Sequence, residues 1–213
     1  TGASNLLDAA GLPGSVYELR TVVAGAEQVL NETAAVWEKR YTDIPVRKIN
    51  GGYTSHEVND ASVGDLDGDG QYEVVVKRVA INKEIASTDY HMLEAYELDG
   101  TFLWSINIGP NLVNDKEVNF LVWDLDGDGK AEVATRTSEG TIDGLGNETG
   151  DVNNDGKTNY RYSLQHNGFM AEGPHFLSVF NGETGEEMAR RDYIARDPIS
   201  QWGLPGHDIA QLA

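Results

Sequence analysis

The amino-acid sequence predicts an all-β fold assembled from repeated antiparallel units, and three observations predict it. Glycine is frequent, 24 of 213 residues, and it separates short alternating or β-branched runs, as in short strands joined by tight turns. A segment, Val63-Gly64-Asp65-Leu66-Asp67-Gly68-Asp69-Gly70-Gln71-Tyr72-Glu73-Val74-Val75-Val76, returns at 122–135 as Val122-Trp123-Asp124-Leu125-Asp126-Gly127-Asp128-Gly129-Lys130-Ala131-Glu132-Val133-Ala134-Thr135. A second element also repeats, since Leu93–Thr101 and Leu177–Gly185 each read as a strand, an Asp/Asn-Gly turn and a return strand. Repeats of about 40–50 residues with four strands apiece are the pattern of β-propeller blades.

The elements follow in order. Gly11-Leu12-Pro13-Gly14 is a turn cluster. In Val16–Val23, Tyr17, Leu19 and Thr21 alternate with Glu18 and Arg20, which is strand patterning. Ala24-Gly25-Ala26-Glu27 makes a hairpin, and Gln28–Trp37 reads as the returning strand. A tyrosine soon after a Pro-Gly turn, opening a strand, is the tyrosine-corner arrangement of β-sandwiches. Residues 1–40 are therefore expected to be the C-terminal strands of a fibronectin type III-like sandwich, and 41–213 the first blades of a propeller. Tyr41–Gly52 reads as a linker and an entering strand. The second unit carries a Gly/Asn-rich insertion, Glu139–Pro174, of a length usually reserved for functional loops. Two units cannot close a ring of about 4–8 blades. The rest of the propeller is expected from sequence beyond this chain or from another chain.

Composition excludes several function classes. Thirty-five acidic residues against 16 basic ones, a formal charge of −19, argue against nucleic acid as a partner. No run approaches the roughly 20 apolar residues that span a bilayer. With no cysteine there is no disulfide framework, thiol chemistry or cysteine-ligated zinc. The balance fits an exported bacterial protein, secreted, periplasmic or on the cell surface. The five histidines show no metal-ligand spacing. Trp104 and Trp123 lie on strand patterns, which predicts that both pack in the core.

The repeated loops carry the chemistry. Asp65, Asp67 and Asp69 occupy positions 1, 3 and 5 of an oxygen-ligand calcium loop, Gly70 permits the sharp turn, Gln71 offers its carbonyl, and Glu73 supplies a further carboxylate. Carboxylates this close repel unless a cation sits between them. Asp124, Asp126, Asp128, the Lys130 carbonyl and Glu132 repeat the set. No helix pattern flanks either loop and position 12 lacks Glu, so these are calcium loops opening into strands rather than EF-hands. Asp151, Asn153, Asp155 and Lys157 form a third match without a carboxylate at position 9. An Asn/Asp turn cluster and a dockerin-like loop compete with calcium there. Ca2+ is the cofactor these spacings predict, in a structural role.

The string Asn59-Asp60-Ala61-Ser62-Val63-Gly64-Asp65 through Glu73, with Ala95–Trp104, Trp123–Ala134, Gly140–Gly144 and Gly173-Pro174 before Leu177–Phe180, resembles polysaccharide lyase family 11, the rhamnogalacturonan lyases. The resemblance implies an eight-bladed, calcium-stabilised propeller behind a small sandwich. It implies cleavage of the rhamnose–galacturonate backbone of rhamnogalacturonan I, an acidic plant polysaccharide, by β-elimination. It also marks Asn59 as substrate-binding and names no general base. Two stretches depart from the family. Arg78-Val79 stands where an Asp is expected soon after Lys77, and Asn114–Asn119 stands where the family has Gly-Ala-His-Tyr-Thr. These departures motivate a rival reading, a glycan-binding relative without activity. The calcium loops alone would also suit an FG-GAP-type adhesion propeller.

Overall fold

The computed structural model describes residues 11–12, 15–35, 41–52, 54–164 and 168–194. Trp37, His166, Trp202 and His207 lie outside them. The fold is all-β, with ten strands and two short 3-10 turns among the described residues. The chain divides into two compact units, Thr1–Asp43 and Ile44–Ala213.

In the first unit, β1 (Val16–Val23) and β2 (Ala26–Ala35) form an antiparallel hairpin. Its turn is shorter than the sequence suggests, because Ala26 and Glu27 already pair with Val23 and Val22. Ala24 and Gly25 both have positive φ, +52° and +82°, the type I′ geometry whose twist matches that of paired strands. The turn cluster ahead of β1 is closed by Ser15 N–H donating to the Leu12 carbonyl at 2.9 Å.

The second unit holds two four-stranded antiparallel sheets, each a simple meander. The first sheet runs β3 (His56–Gly64), β4 (Glu73–Ala80), β5 (Met92–Tyr96), β6 (Phe102–Asn107). The second runs β7 (Phe120–Trp123), β8 (Glu132–Ser138), β9 (His175–Phe180), β10 (Glu187–Asp192). The repeated acidic segments fall at matching places, β3–β4 and β7–β8. The repeated hairpins fall at β5–β6 and β9–β10, where Gly100 and Gly185 take φ of +90° and +71°. Each repeat is thus one blade-like sheet.

The core lies between the sheets. Val75, Leu93, Ala95, Trp104 and Ile106 of the first pack with Val122, Val133 and Phe180 of the second, and Leu66 and Ala131 of the acidic loops close the cluster. Side chains alternate across a strand, so Val74 and Val76 point the other way. There they meet Tyr96, Ile44 and Val46. Layers on both faces explain why β4 is buried along its whole length. The segment ahead of β3 is no strand, only an isolated bridge between Ile49 and Gly52.

The two tryptophans part company. Trp104 is 3% exposed, and its indole N–H donates to the Gly182 carbonyl at 2.6 Å, tying the β9–β10 turn to β6. Trp123 is 67% exposed, contrary to expectation. It follows Val122, which faces the core, and so points to the opposite face of the second sheet, where Leu121 and Leu177 are exposed too.

His91 links β5 to the loop after β6. Its Nδ1 accepts from Ala80 N–H at 2.9 Å, so the proton sits on Nε2, 2.8 Å from the Val113 carbonyl. Burial pushes its pKa down to about 4 from 6.5, against the opposing bond to Val113. A depressed histidine favours the fold above its unfolded pKa, and that contribution disappears as pH falls through the folded one. We therefore expect His91 by itself to contribute a loss of about 3 kcal/mol between pH 6.5 and 4 in EDTA. Urea denaturation of His91→Gln should show this slope flattened; an unchanged slope would exclude His91 as its source.

Candidate metal-binding loops and the neighbouring cleft

Both strong acidic loops are wound around their own carboxylates. Asp65 accepts Gly68 N–H at Oδ1 (2.7 Å) and Gly70 N–H at Oδ2 (2.9 Å), and Asp67 Oδ1 accepts Asp69 N–H at 3.0 Å. Asp69 Oδ1 in turn takes Gln71 N–H at 2.7 Å. The second loop repeats the scheme: Asp124 accepts from Gly127 and Gly129, Asp126 from Asp128, and Asp128 from Lys130. Gly68, Gly70, Gly127 and Gly129 have φ between +82° and +96°, which winds the loop and favours residues without a Cβ.

Glu73 and Glu132 open the strands that follow, β4 and β8. Each is buried and reaches back to the second loop position: Glu73 Oε2 accepts Leu66 N–H at 2.6 Å, and Glu132 Oε2 accepts Leu125 N–H at 2.8 Å. In consequence Asp65, Asp67 and Glu73 each bring a carboxylate oxygen within 4.8 Å of the others, and so do Asp124, Asp126 and Glu132. Asp69 and Asp128 stand outside these triads. Burial pushes the Glu73 carboxyl up; the Leu66 N–H opposes this, and the charges of Asp67, Glu97 and Asp65 add to it. Three converging carboxylates, one of them buried, form a hard oxygen donor set that fits a divalent cation.

The third segment also forms a loop. Asp151 Oδ2 accepts Gly156 N–H at 2.7 Å, Asn153 Oδ1 accepts Asp155 N–H at 3.0 Å, and Asp155 Oδ1 accepts Lys157 N–H at 3.0 Å. No helix of dockerin type follows, only the 3-10 turn Arg161–Ser163.

Asn59 lies on a bulge of β3, where the register with β4 slips between Val58 and Ala61. Asn59 and its neighbour Asp60 are exposed there. Asp60 Oδ2 is 2.6 Å from Nζ of the buried Lys77, which also donates to the Asp115 carbonyl at 3.3 Å. Lys83 Nζ meets Asp115 Oδ1 at 2.7 Å, and this contact above all holds the Asp115 carboxyl below its usual range. The structure therefore brings together segments that the sequence keeps apart, the bulge with Asn59, Lys77 on β4, and the 3-10 turn Asp115–Glu117. Of the two departing residues on β4, Val79 is buried and Arg78 pairs with Glu94 on the opposite face from Lys77. Sequence spacing did not reveal the Asp60–Lys77–Asp115 cluster, because β-sheet register and a turn from the next blade build it.

A groove of about 480 Å³ runs between the two strong loops, lined by Val63, Val122 and Ala131 with the exposed rings of Tyr72 and Trp123. Among the described residues no helix is long and apolar enough to cross a membrane.

A pair of blade-like sheets opened by acidic metal-type loops defines a class of propeller protein, and comparison with known proteins gives the family. The family model for the C-terminal domain of rhamnogalacturonan lyase family 11 matches residues 41–206, and the chain belongs to that family. Over 212 residues it is 43% identical to the rhamnogalacturonan endolyase YesW of Bacillus subtilis (strain 168), covering 94% of this chain and 33% of that protein. It is 39% identical to the rhamnogalacturonan exolyase YesX of the same organism, covering 94% and 34%. The crystal structure of the exotype lyase YesX superposes with a TM-score of 0.75 at 40% identity, over 93% of this chain and 34% of the other. The chain thus spans about a third of the length of these relatives.

Proposed function

We propose that this chain is part of a calcium-dependent lyase that cleaves the rhamnose–galacturonate backbone of rhamnogalacturonan I by β-elimination. The observation that carries the reading is the family match over 41–206, together with both carboxylate triads. Residues 1–40 are read as closing strands of a fibronectin type III-like sandwich, and 41–213 as blades of the catalytic propeller in an exported bacterial enzyme. Asp65, Asp67, Asp69, the Gln71 carbonyl and Glu73 would hold one calcium ion; Asp124, Asp126, Asp128, the Lys130 carbonyl and Glu132 would hold another. The bound ions would fix the entry turns of β4 and β8. Their charge would also ease the approach of an acidic polymer to an acidic protein. Asn59 would contact the sugar chain from the β3 bulge, next to the Asp60–Lys77 ion pair. In the reaction a base takes the proton at carbon 5 of galacturonate. The electron pair forms the C4–C5 double bond, and the oxygen at carbon 4 leaves with the preceding sugar.

Ultraviolet detection of unsaturated uronate tests this, using rhamnogalacturonan I and the longest product of the gene, first with calcium and then with EDTA. A calcium-dependent rise is expected. Pectin binding without any rise would favour the rival, a non-catalytic glycan-binding relative. One observation supports that rival: the departing 114–119 segment packs beside the Asn59 bulge, where Asp60 and the Asp115 carbonyl already engage the Lys77 ammonium.

A further inference from the structure

Arg161 opens the 3-10 turn Arg161–Ser163 within the insertion, and it is only 4% exposed. Two contacts fix its guanidinium. Nε donates to the Glu84 carbonyl at 2.9 Å, and Cζ lies 5.4 Å from the centre of the Tyr90 ring. Among the described residues no carboxylate forms an ion pair with it, and its Nη nitrogens make no hydrogen bond. Burial pushes its pKa down, with Tyr90 and Asp89 opposing the shift, and a guanidinium stays charged regardless. A buried cation without an anion is costly. The Tyr90 hydroxyl is unspent as well, making no hydrogen bond among the described residues. Both residues line one depression with Asn82, Lys83 and Asp89. Lys83 ties that depression to the Asn59 bulge: its ammonium meets Asp115, the Asp115 carbonyl meets Lys77, and Lys77 meets Asp60.

We propose that Arg161, with Lys83 and the Tyr90 hydroxyl, forms a subsite for the carboxylate of a uronate residue, extending the cleft beyond Asn59. The assignment rests on the polysaccharide reading above and adds a place for a further charged sugar of the same polymer. The chemistry selects the occupant. A guanidinium presents paired N–H donors in a rigid plane, which match the two oxygens of a carboxylate. Nε is committed to Glu84, so the edge formed by the two Nη groups is left for the ligand. Stacking on Tyr90 holds that edge in place before the ligand arrives, which lowers the ordering cost of binding. The phenol hydroxyl can serve a sugar hydroxyl or a carboxylate oxygen. Lys83 adds a point charge that it shares with Asp115. Asp89 is the acidic member of the lining, and its Oδ1 is already taken by Asn50 Nδ2 at 3.1 Å. A neutral sugar has no charge with which to answer the buried guanidinium.

Isothermal titration calorimetry on the longest product of the gene, in calcium, tests this with two ligands. One is a set of rhamnogalacturonan I oligosaccharides, the other the same oligosaccharides with their uronates reduced to neutral sugars. The wild type should prefer the first. Arg161→Gln should bind the first roughly tenfold more weakly, the scale of a lost hydrogen bond to a charged group. It should bind the reduced ligand as the wild type does, so its preference shrinks. Tyr90→Phe keeps the ring beneath the guanidinium and should show a smaller loss. Equal weakening toward both ligands in Arg161→Gln would mean a purely structural role and overturn the subsite. A preference as large as that of the wild type would overturn it too. A wild type that binds neither ligand would sink the polysaccharide reading, and the subsite with it. Should Arg161→Gln lose its circular dichroism, Lys83→Gln replaces it, since that side chain is 39% exposed. Its preference must also shrink, and no change there would overturn the site.

Discussion

Replacing Asp67 and Asp126 together by Ala is expected to lower the melting temperature in calcium by about 10–20 °C. A site filled at 100 times its Kd contributes about 2.7 kcal/mol to stability, and a domain of this size loses roughly 2–4 °C per kcal/mol. Two sites thus give the stated range. Asp67 and Asp126 are the right targets because each belongs to a triad of converging oxygens yet is itself exposed. Their loss removes cation affinity without opening a cavity in the core. In EDTA the order should narrow or invert, since the substitution also relieves repulsion on Glu73, whose carboxyl is pushed up partly by Asp67. The EDTA-induced shift seen in the wild type should be abolished in the double variant. A double variant whose EDTA shift equals that of the wild type would end the calcium assignment. Differential scanning calorimetry of the wild type and the double variant, with and without calcium, provides every comparison.

What could be read from the sequence follows from how far apart the cooperating residues lie. Asp65, Asp67 and Glu73 are legible because one loop and one strand bond set their spacing. The β5–β6 and β9–β10 hairpins are legible because Leu98-Asp99-Gly100 and Gly182–Gly185 announce their turns. Trp123 misled for a physical reason: strand patterning says that alternate residues face opposite ways, but not which face meets a second layer. Ile44 and Val46 were expected to enter a strand and instead lie on Val74, Val76 and Tyr96, a contact without local pattern. The Asp60–Lys77–Asp115 cluster lay beyond reach for the same reason, since its members come from β3, β4 and the turn before β7. The two departures from the family were visible, but the packing of the second against Lys77 was not.

Glu94→Ala is expected to cost about 3–5 kcal/mol, the usual penalty for leaving one member of a buried ion pair alone. At roughly 2–4 °C per kcal/mol this is again a drop on the order of 10 °C. Glu94 is 0% exposed and accepts from Arg78 Nη1 at 3.0 Å, Arg47 Nε at 2.6 Å and the Tyr96 hydroxyl at 2.7 Å. Arg78 is itself 1% exposed, so without Glu94 its charge has no anion to answer it among these contacts. The Tyr96 hydroxyl would also lose its acceptor. In the wild type burial, and then the Glu94 carboxylate, raise its pKa to about 12. Joint replacement, Arg78→Met with Glu94→Leu, should recover most of the loss, because apolar pairs of similar volume often match buried ion pairs. Thermal unfolding of the single and double variants in EDTA measures both effects. A loss below about 1 kcal/mol in Glu94→Ala, the value of a solvated pair, would show that water reaches Arg78. The calcium-induced shift should survive in every variant that folds. Glu94 binds none of the loops, and adjacent residues on β4 face opposite ways, Arg78 toward Glu94 and Lys77 toward Asp60 and Asp115. Loss of stability without loss of the calcium response would therefore separate the scaffold's own ionic support from the support that the loops derive from metal.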